Sequence, residues 1–479
     1  MFRRKGSLRR QQEEAESSRT SAGDVSDMTH SANTSTATAA SSSHKGRRSF
    51  FRLRGGRRGK SKTRNKVEIR TENNERDSRT LDDDRNRAGS SEDEDREAMP
   101  EDTEDAETKK QFTGPEGKKQ KAIMYSYFGD DVDDNMELVR SDVPELKKDD
   151  EVLVRVLAST VSSYDCNIRR GIDFEIFNPV SLPNIPGQDV VGTVVQVGDK
   201  VIDFEVGEKV AALVRTGGNA RYIVVPHSSL VKVPKGCDPA EAVCMVSTFM
   251  TAYQSIRMVT KDEFSLEDKT VLITGADEPI GQALIQLCKR ANAERIYVTS
   301  PNFKHKQVSA TFNVEVLSNN PEEWREDLKD QIDVAFDATC EDGHSSPASS
   351  LKRDGVLICL GMSSYLRNDQ QGMFGASLSA HWTNFKSRNL MSKTKSYNVW
   401  ESFKQDPEAF KLDLDILLRL LRKNFVKPNI VRHITLAEVP NAHKFLSQHN
   451  CDGEIVCLPW KKEFGVLRPN NATDRKAAI

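Results

Sequence analysis

Residues 271–288 read VLITGADEPIGQALIQLC: an apolar run that suits a short buried strand, a turn at Gly275, then Ile280, Leu284, Leu287 and Cys288 at helical spacing. A strand that turns on glycine into a helix has the shape of a dinucleotide-binding turn, because the first amides of the helix face outward with no intrahelical acceptor and attract anions. Pro279 has no amide hydrogen to offer there, and Glu278 brings a carboxylate to the same place. At an effective dielectric of ~20 and a separation of ~5 Å, that carboxylate opposes each phosphate charge by about 3 kcal/mol before screening. Rotation of the side chain into water relieves most of this.

Other residues that can do chemistry lie further up the chain. Tyr164 and Asp165 stand in VLVRVLASTVSSYDCNIRRG, where Tyr164 reads either as a proton donor to a developing enolate or as a packed ring with its hydroxyl in water. Thr216, Gly217, Gly218 and Asn219 form a small loop, read as a cleft-facing element or as a plain hairpin turn. The eight cysteines, Cys166, Cys237, Cys244, Cys288, Cys340, Cys359, Cys451 and Cys457, show no close pairing that suggests a zinc ribbon or a disulfide scaffold. Reduced thiols in an intracellular compartment are the simplest reading.

These residues need a scaffold, and composition limits where it lies. Of 479 residues, 37% are hydrophobic and 30% charged, low and high respectively for a wholly folded chain. The deficit falls in residues 1–118, rich in Ser, Thr, Asp, Glu and Arg and without periodicity, which predicts a long disordered N-terminal tail. From Lys121 the pattern changes. Val152, Val154 and Val156 alternate, and VVGTVVQVG, EKVAALV, ARYIVVP and SLVKVP continue a series of short strands, which predicts a β-barrel. After Thr251 the period switches: KTVLITG, ERIYVTS, IDVAFDAT and GVLICLG alternate with helical stretches, the pattern of a doubly wound parallel sheet. DPEAFKLDLDILLRLLRKNF follows as an amphipathic helix and GEIVCLP as a last strand.

This order of units resembles the medium-chain dehydrogenase/reductase superfamily over about residues 121–460. IPGQDVVGTVVQVGDKVIDFEVGEKVAAL is similar to its most recognisable stretch, and DPAEAVCMVSTFMTAYQSI to the segment that leads into its cofactor domain. The resemblance implies an α/β chain with a GroES-like β-barrel domain over 119–250, completed by about 400–460, a Rossmann domain over 251–399 and a flexible tail over 461–479. Zinc-dependent members place a His-Glu pair where Gln188 and Asp189 stand, and a cysteine cluster that is missing here, so the chain resembles the zinc-free quinone oxidoreductase branch. Cys166 alone is one soft ligand and does not hold zinc. In that branch glycines stand at the positions of Glu278, Pro279 and Cys340.

The resemblance implies a cofactor site built on Thr251, Gly275, Ala276, Ile280, Gly281, Thr299, Ser300, Lys304, Asp337 and Gly361, with Tyr164 and Asp165 as catalytic candidates in the substrate loop. The second strand ends in TSPNFKHK with no acid for a ribose hydroxyl, while Thr299, Ser300, Lys304 and Lys306 suit a 2'-phosphate, which points to NADPH. Solvated lysines and, at Asp337, a helix-capping carboxylate are the plain alternatives.

Two functions compete. One is a zinc-independent, NADPH-dependent oxidoreductase that passes hydride to a quinone or enone, expected as a homodimer. The other is a weak or inactive member of the family that serves as a scaffold through its tail. Eleven Arg and Lys between Lys45 and Lys66, with Phe50 and Phe51 among them, suit an anionic membrane surface or RNA through residues 44–66, and a solvated linker is the plain alternative. No apolar run approaches the roughly 18 residues of a spanning helix. The expected location is cytoplasmic, with peripheral membrane contact open. MFRRKGSLRRQQ is Arg-rich, but Glu13, Glu14 and Glu16 follow at once, which ranks mitochondrial import, and nuclear entry, behind.

Overall fold

The computed structural model describes residue 115, residues 117–173, 175, 178–260, 263–360, 393–448 and 451–462. The sequence-based expectations for the N-terminal tail to residue 114, the basic block 44–66, Gly361 and the tail after residue 462 lie outside these residues.

The N-terminal half is β. Strand Glu151–Thr160 changes partners along its length: residues 151–155 pair with Tyr222–Pro226, residues 159 and 160 pair with the returning strand Glu454–Cys457, and its other edge pairs with Asp189–Val197. Register shifts at Leu153/Val154 and Val156/Ala158 let it bend to serve all three. The alternation is kept: Val152, Val154 and Val156 join one apolar cluster while Leu153 joins another. A seven-stranded sheet results, with Lys209–Leu213, Val231–Lys232 and Ile430–Ile434 as its further members. Lys119–Tyr125 and Met136–Asp142 form a separate antiparallel ribbon.

The second half is a six-stranded sheet whose described strands all run parallel. Its spatial order is Glu315–Ser318, Arg295–Ser300, Thr270–Ile273, Ile332–Asp337, Leu351–Cys359, Thr394–Ser396. Numbered along the chain this is 3-2-1-4-5-6, the doubly wound order whose ligand crevice opens at the carboxyl ends of strands one and four. Helix Pro279–Arg290 covers one face, burying Leu284, Leu287 and Cys288 at 0% exposure. Helix Pro407–Arg422, capped by Asp406 through the Ala409 amide at 3.0 Å, buries Leu414, Leu417, Leu418 and Leu421 in the same core. Each such leucine contributes roughly 1.5–3 kcal/mol. Among the described residues no helix is long and apolar enough to cross a membrane.

Candidate cofactor and active site

The crevice at the carboxyl ends of the parallel strands holds the turn that opened the sequence. Thr270–Ile273 ends at Thr274, the chain turns through Gly275 in the left-handed region (φ +74°), and the helix starts at Pro279. A Cβ at Gly281 would lie 2.0 Å from the Gly275 carbonyl oxygen, so glycine at 281 is what lets helix and strand close on each other. Three loop amides are already used: Gly275 N donates to Thr299 Oγ1 at 3.1 Å, Ala276 N to Thr299 O at 2.9 Å, and Glu278 N to Gly275 O at 3.0 Å. Gln282 N donates to Glu278 O within the helix. That leaves the first-turn amides of Ile280 and Gly281 as the donors that helical geometry leaves without an intrahelical acceptor.

Thr274, Asp277, Glu278, Thr299, Asp337 and Thr339 line a small cavity of about 90 Å³ at this point, with Glu341 and Asp342 on its rim. Ligand pockets that enclose a whole small molecule measure roughly 300–1,000 Å³, so this cavity is too small to enclose a whole dinucleotide. Five carboxylates face or flank it, those of Asp277, Glu278, Asp337, Glu341 and Asp342.

The sequence-predicted residues take different places around it. Thr299 orients the loop and lines the cavity. Ser300 is wholly buried, and its hydroxyl has no hydrogen-bond partner among the described residues. Ala276 is a core residue at 0% exposure, and Ile280 packs half-buried against the same core. Thr251, half-buried at the start of helix Met250–Thr260, lies outside the cavity lining. Lys304 is not a free cation: its Nζ meets Asp277 Oδ2 at 2.8 Å and the carboxylate of Asp452. Burial by itself would lower its pKa, but the bonds to Asp277 and Asp452 hold it above the ordinary lysine value. Lys306 is exposed.

Asp337 does not cap the next helix, Ser345–Ser349, whose N-cap is His344. Its Oδ1 accepts from Thr274 Oγ1 at 2.6 Å and from Cys340 N at 2.9 Å, and its Oδ2 lies 2.6 Å from His344 Nδ1. The far side of that ring, Nε2, is 3.3 Å from Cys340 Sγ. Cys340 (φ +52°) and His344 (φ +72°) both adopt the left-handed region, which accounts physically for the glycine that the family resemblance places at position 340.

On the barrel side the structure places Asp165 and loop 216–219 in local networks of the fold. Asp165 is buried and engaged within the fold: Oδ2 accepts from Ser162 N and Ser162 Oγ, each at 2.8 Å, and Oδ1 accepts from Gly187 N at 2.9 Å. It is the closing residue of a capping box for helix Ser163–Arg169, a role that Ser162-x-x-Asp165 already spells in the sequence. Loop 216–219 is not a hairpin, because strands Lys209–Leu213 and Tyr222–Pro226 do not pair. Gly217, Gly218 and Asn219 donate instead to the carbonyls of Ile185, Gly187 and Pro186. Tyr164 is half-buried, and burial followed by the Asp173 charge pushes its hydroxyl above the ordinary tyrosine value, which suits packing.

Gln188 and Asp189 are both buried, and Asp189 Oδ2 accepts from Thr160 Oγ1 at 2.7 Å and Ser247 Oγ at 2.6 Å. Burial pushes Asp189 up to about 8 against those two hydroxyls, and Glu454 up to about 7. Cys166 faces His443 Nδ1 at 3.5 Å, and burial pushes its thiol up to about 12. Among the described residues no group of three His, Cys, Asp or Glu is placed to hold a metal ion. Sequence reasoning missed His344, Asp277, Asp452 and Glu454, whose partners lie on other elements.

Residues 148–235 match the family model described as the alcohol dehydrogenase GroES-like domain. The chain is 25% identical over 373 residues to the mouse (Mus musculus) synaptic vesicle membrane protein VAT-1 homolog-like, covering 76% of this chain and 87% of that one. It is 32% identical over 235 residues to an NADPH-dependent alkenal/one oxidoreductase of Arabidopsis thaliana chloroplasts, covering 46% of this chain and 58% of the relative. Among solved structures, the human VAT-1 homolog-like protein superposes with a TM-score of 0.58 at 23% identity, covering 72% of this chain and all of the other. A quinone oxidoreductase from Coxiella burnetii superposes at 0.57 and 20% identity, covering 71% of this chain and 99% of the other.

Proposed function

We propose that this chain, a quinone oxidoreductase-like member of the medium-chain dehydrogenase/reductase superfamily, is a zinc-independent oxidoreductase that uses NADPH to reduce a quinone or a conjugated enone. The observation that carries the reading is the turn from Thr274 to Gly281, set at the carboxyl end of the first parallel strand with the Ile280 and Gly281 amides at the helix start. The residues present fit a dinucleotide on two counts. A helix N-terminus faces the crevice, and Thr299, at the end of the second strand where a ribose would lie, lines the cavity. The five carboxylates oppose its phosphates and weaken the site without closing it.

When bound, the nicotinamide supplies the hydride. The chain's own residues bind and orient: Ile280 and Gly281 hold a phosphate, Thr299 fixes the turn, and Lys304 meets the 2'-phosphate. Catalysis by such a site rests on positioning, since among the described residues no side chain from the barrel lines the cavity. Zinc independence is supported by the donors themselves. Asp189 is engaged by two hydroxyls, Cys166 faces His443, and Gln188 replaces a ligand type with an amide.

Titration of the purified chain with NADPH and NADH, followed by an assay of NADPH oxidation with a quinone and an enone, tests the reading. Saturable binding and acceptor-dependent oxidation without added metal are expected. No binding at millimolar dinucleotide would remove it.

A further inference from the structure

This inference rests on the reading of the groove as a nicotinamide dinucleotide site. Lys304 follows the second parallel strand, and two carboxylates from distant parts of the chain converge on its Nζ. Asp277 belongs to the turn between the first strand and its helix; its side chain is 6% exposed and fixed in the cavity wall. Asp452 belongs to the turn before the returning strand Glu454–Cys457, 148 residues from Lys304 in sequence, and its side chain is 47% exposed. That turn is held by more than the ion pair. Gln282 Nε2 donates to the Asp452 carbonyl at 2.6 Å and to the Asp277 carbonyl at 3.1 Å, and Asn429 Nδ2 donates to the Asp452 carbonyl at 2.8 Å. These bonds use the backbone of Asp452, so its carboxylate can be removed while the turn stays anchored.

We propose that Asp452 is a specificity-determining residue, an internal anion that competes with the adenosine 2'-phosphate of NADPH for Lys304. One ammonium faces two carboxylates, so the local charge is already negative where the phosphate must arrive. To bind, the phosphate takes the place of Asp452 on Nζ and leaves that carboxylate beside a dianion with no cation of its own. NADH makes no such demand. Its 2'-hydroxyl donates to a carboxylate such as Asp277 and leaves the Lys304 pairs intact. Lys304 therefore favours the phosphorylated cofactor, Asp452 opposes it, and the observed preference is the difference between the two.

The test is a binding titration of the full-length chain, as wild type, Asp452→Asn and Lys304→Ala, at one fixed ionic strength. The probes are NADPH, NADH, adenosine 2'-monophosphate and adenosine 5'-monophosphate. Asp452→Asn is expected to tighten NADPH and the 2'-monophosphate about tenfold and to leave NADH and the 5'-monophosphate within about twofold, a gain of the size that relief of one close like charge gives. Lys304→Ala is expected to weaken NADPH selectively. Asp452→Ala repeats the first measurement with the carboxylate deleted outright, and a thermal melt of each variant shows that it is folded. If a folded Asp452 variant keeps the wild-type ratio of NADPH to NADH affinity, or tightens both equally, the competition is overturned while the oxidoreductase reading stands. If no variant binds either dinucleotide, both fall.

Discussion

Asp337 Oδ2 and His344 Nδ1 approach to 2.6 Å with both side chains buried, and the same ring reaches Cys340 Sγ at 3.3 Å. The pair fastens a turn that begins where the fourth parallel strand ends and passes through left-handed residues at Cys340 and His344. Non-glycine residues in that region cost of order 1–3 kcal/mol when the surroundings must hold them there. The hydrogen bonds of Asp337 offset this cost, and they fix the wall of the cavity at the strand ends at the same time.

His344→Ala is therefore expected to destabilise the chain by about 3 kcal/mol, because it leaves the buried Asp337 carboxylate short of a partner. Burial alone would raise the Asp337 carboxyl, but the His344 ring, the Thr274 hydroxyl and the Cys340 amide hold it below the ordinary carboxylate value. A depressed carboxyl stabilises the fold above its unfolded value and loses that contribution as pH falls through the folded one. Melting curves of wild type should thus fall in temperature below about pH 4, and those of His344→Ala should fall less.

Asp189 and Glu454 act in the opposite sense. Burial raises them to about 8 and about 7, so the folded chain keeps protons that the unfolded chain has released. Their contribution is present in full below about pH 4 and is lost as pH rises through 7 and 8. Asp189→Asn should raise stability at pH 8.5 by on the order of 3 kcal/mol and change it little at pH 4. The amide keeps an oxygen for Thr160 and Ser247. Denaturant titrations at the two pH values check this, and equal effects at both would contradict the assignment.

Local spacing made much of the scaffold legible. Val152, Val154 and Val156 share one face because a strand alternates, and Leu284, Leu287 and Cys288 are buried together because a helix repeats. Gly275 and Gly281 are legible for a related reason: the turn needs left-handed backbone at the first and a close approach to the Gly275 carbonyl at the second. The ion pair of Lys304 with Asp452 is not legible, because nothing local links residues 148 apart. Asp337 and His344 are only seven apart, yet their pairing needs left-handed backbone at a cysteine and a histidine, which residue preferences argue against. The structural role of Asp165 is legible locally, since Ser162 three residues earlier marks a capping box.

Gly281→Ala is expected to cost several kcal/mol, roughly the scale of forced overpacking, because the new Cβ would lie 2.0 Å from the Gly275 carbonyl oxygen, and that atom belongs to backbone. Thermal melting should show the loss, and nucleotide binding should disappear with the displaced turn.

The departures at Glu278 and Pro279 can now be separated. Pro279 occupies the first helical position, where its missing amide hydrogen is one of those that a helix leaves unpaired in any case. The amides of Gly275, Ala276 and Glu278 are bonded within the fold, so on the proposed reading a phosphate would draw on other amides of the turn, those of Ile280 and Gly281 among them, whichever residue stands at 279. Pro279→Gly should accordingly change NADPH affinity less than threefold, the loss of a preorganised helix start offsetting any gained donor. Glu278 lines the cavity itself. Glu278→Gln keeps its shape and removes one negative charge, and it should tighten NADPH by one to two decades at low salt. The gain should shrink as ionic strength rises, because screening already relieves the wild type. Calorimetric titrations of the two single variants at about 20 and 300 mM salt check both statements. A larger effect from Pro279→Gly than from Glu278→Gln would mean that the loop lacks a donor, and that charge is not what weakens the site.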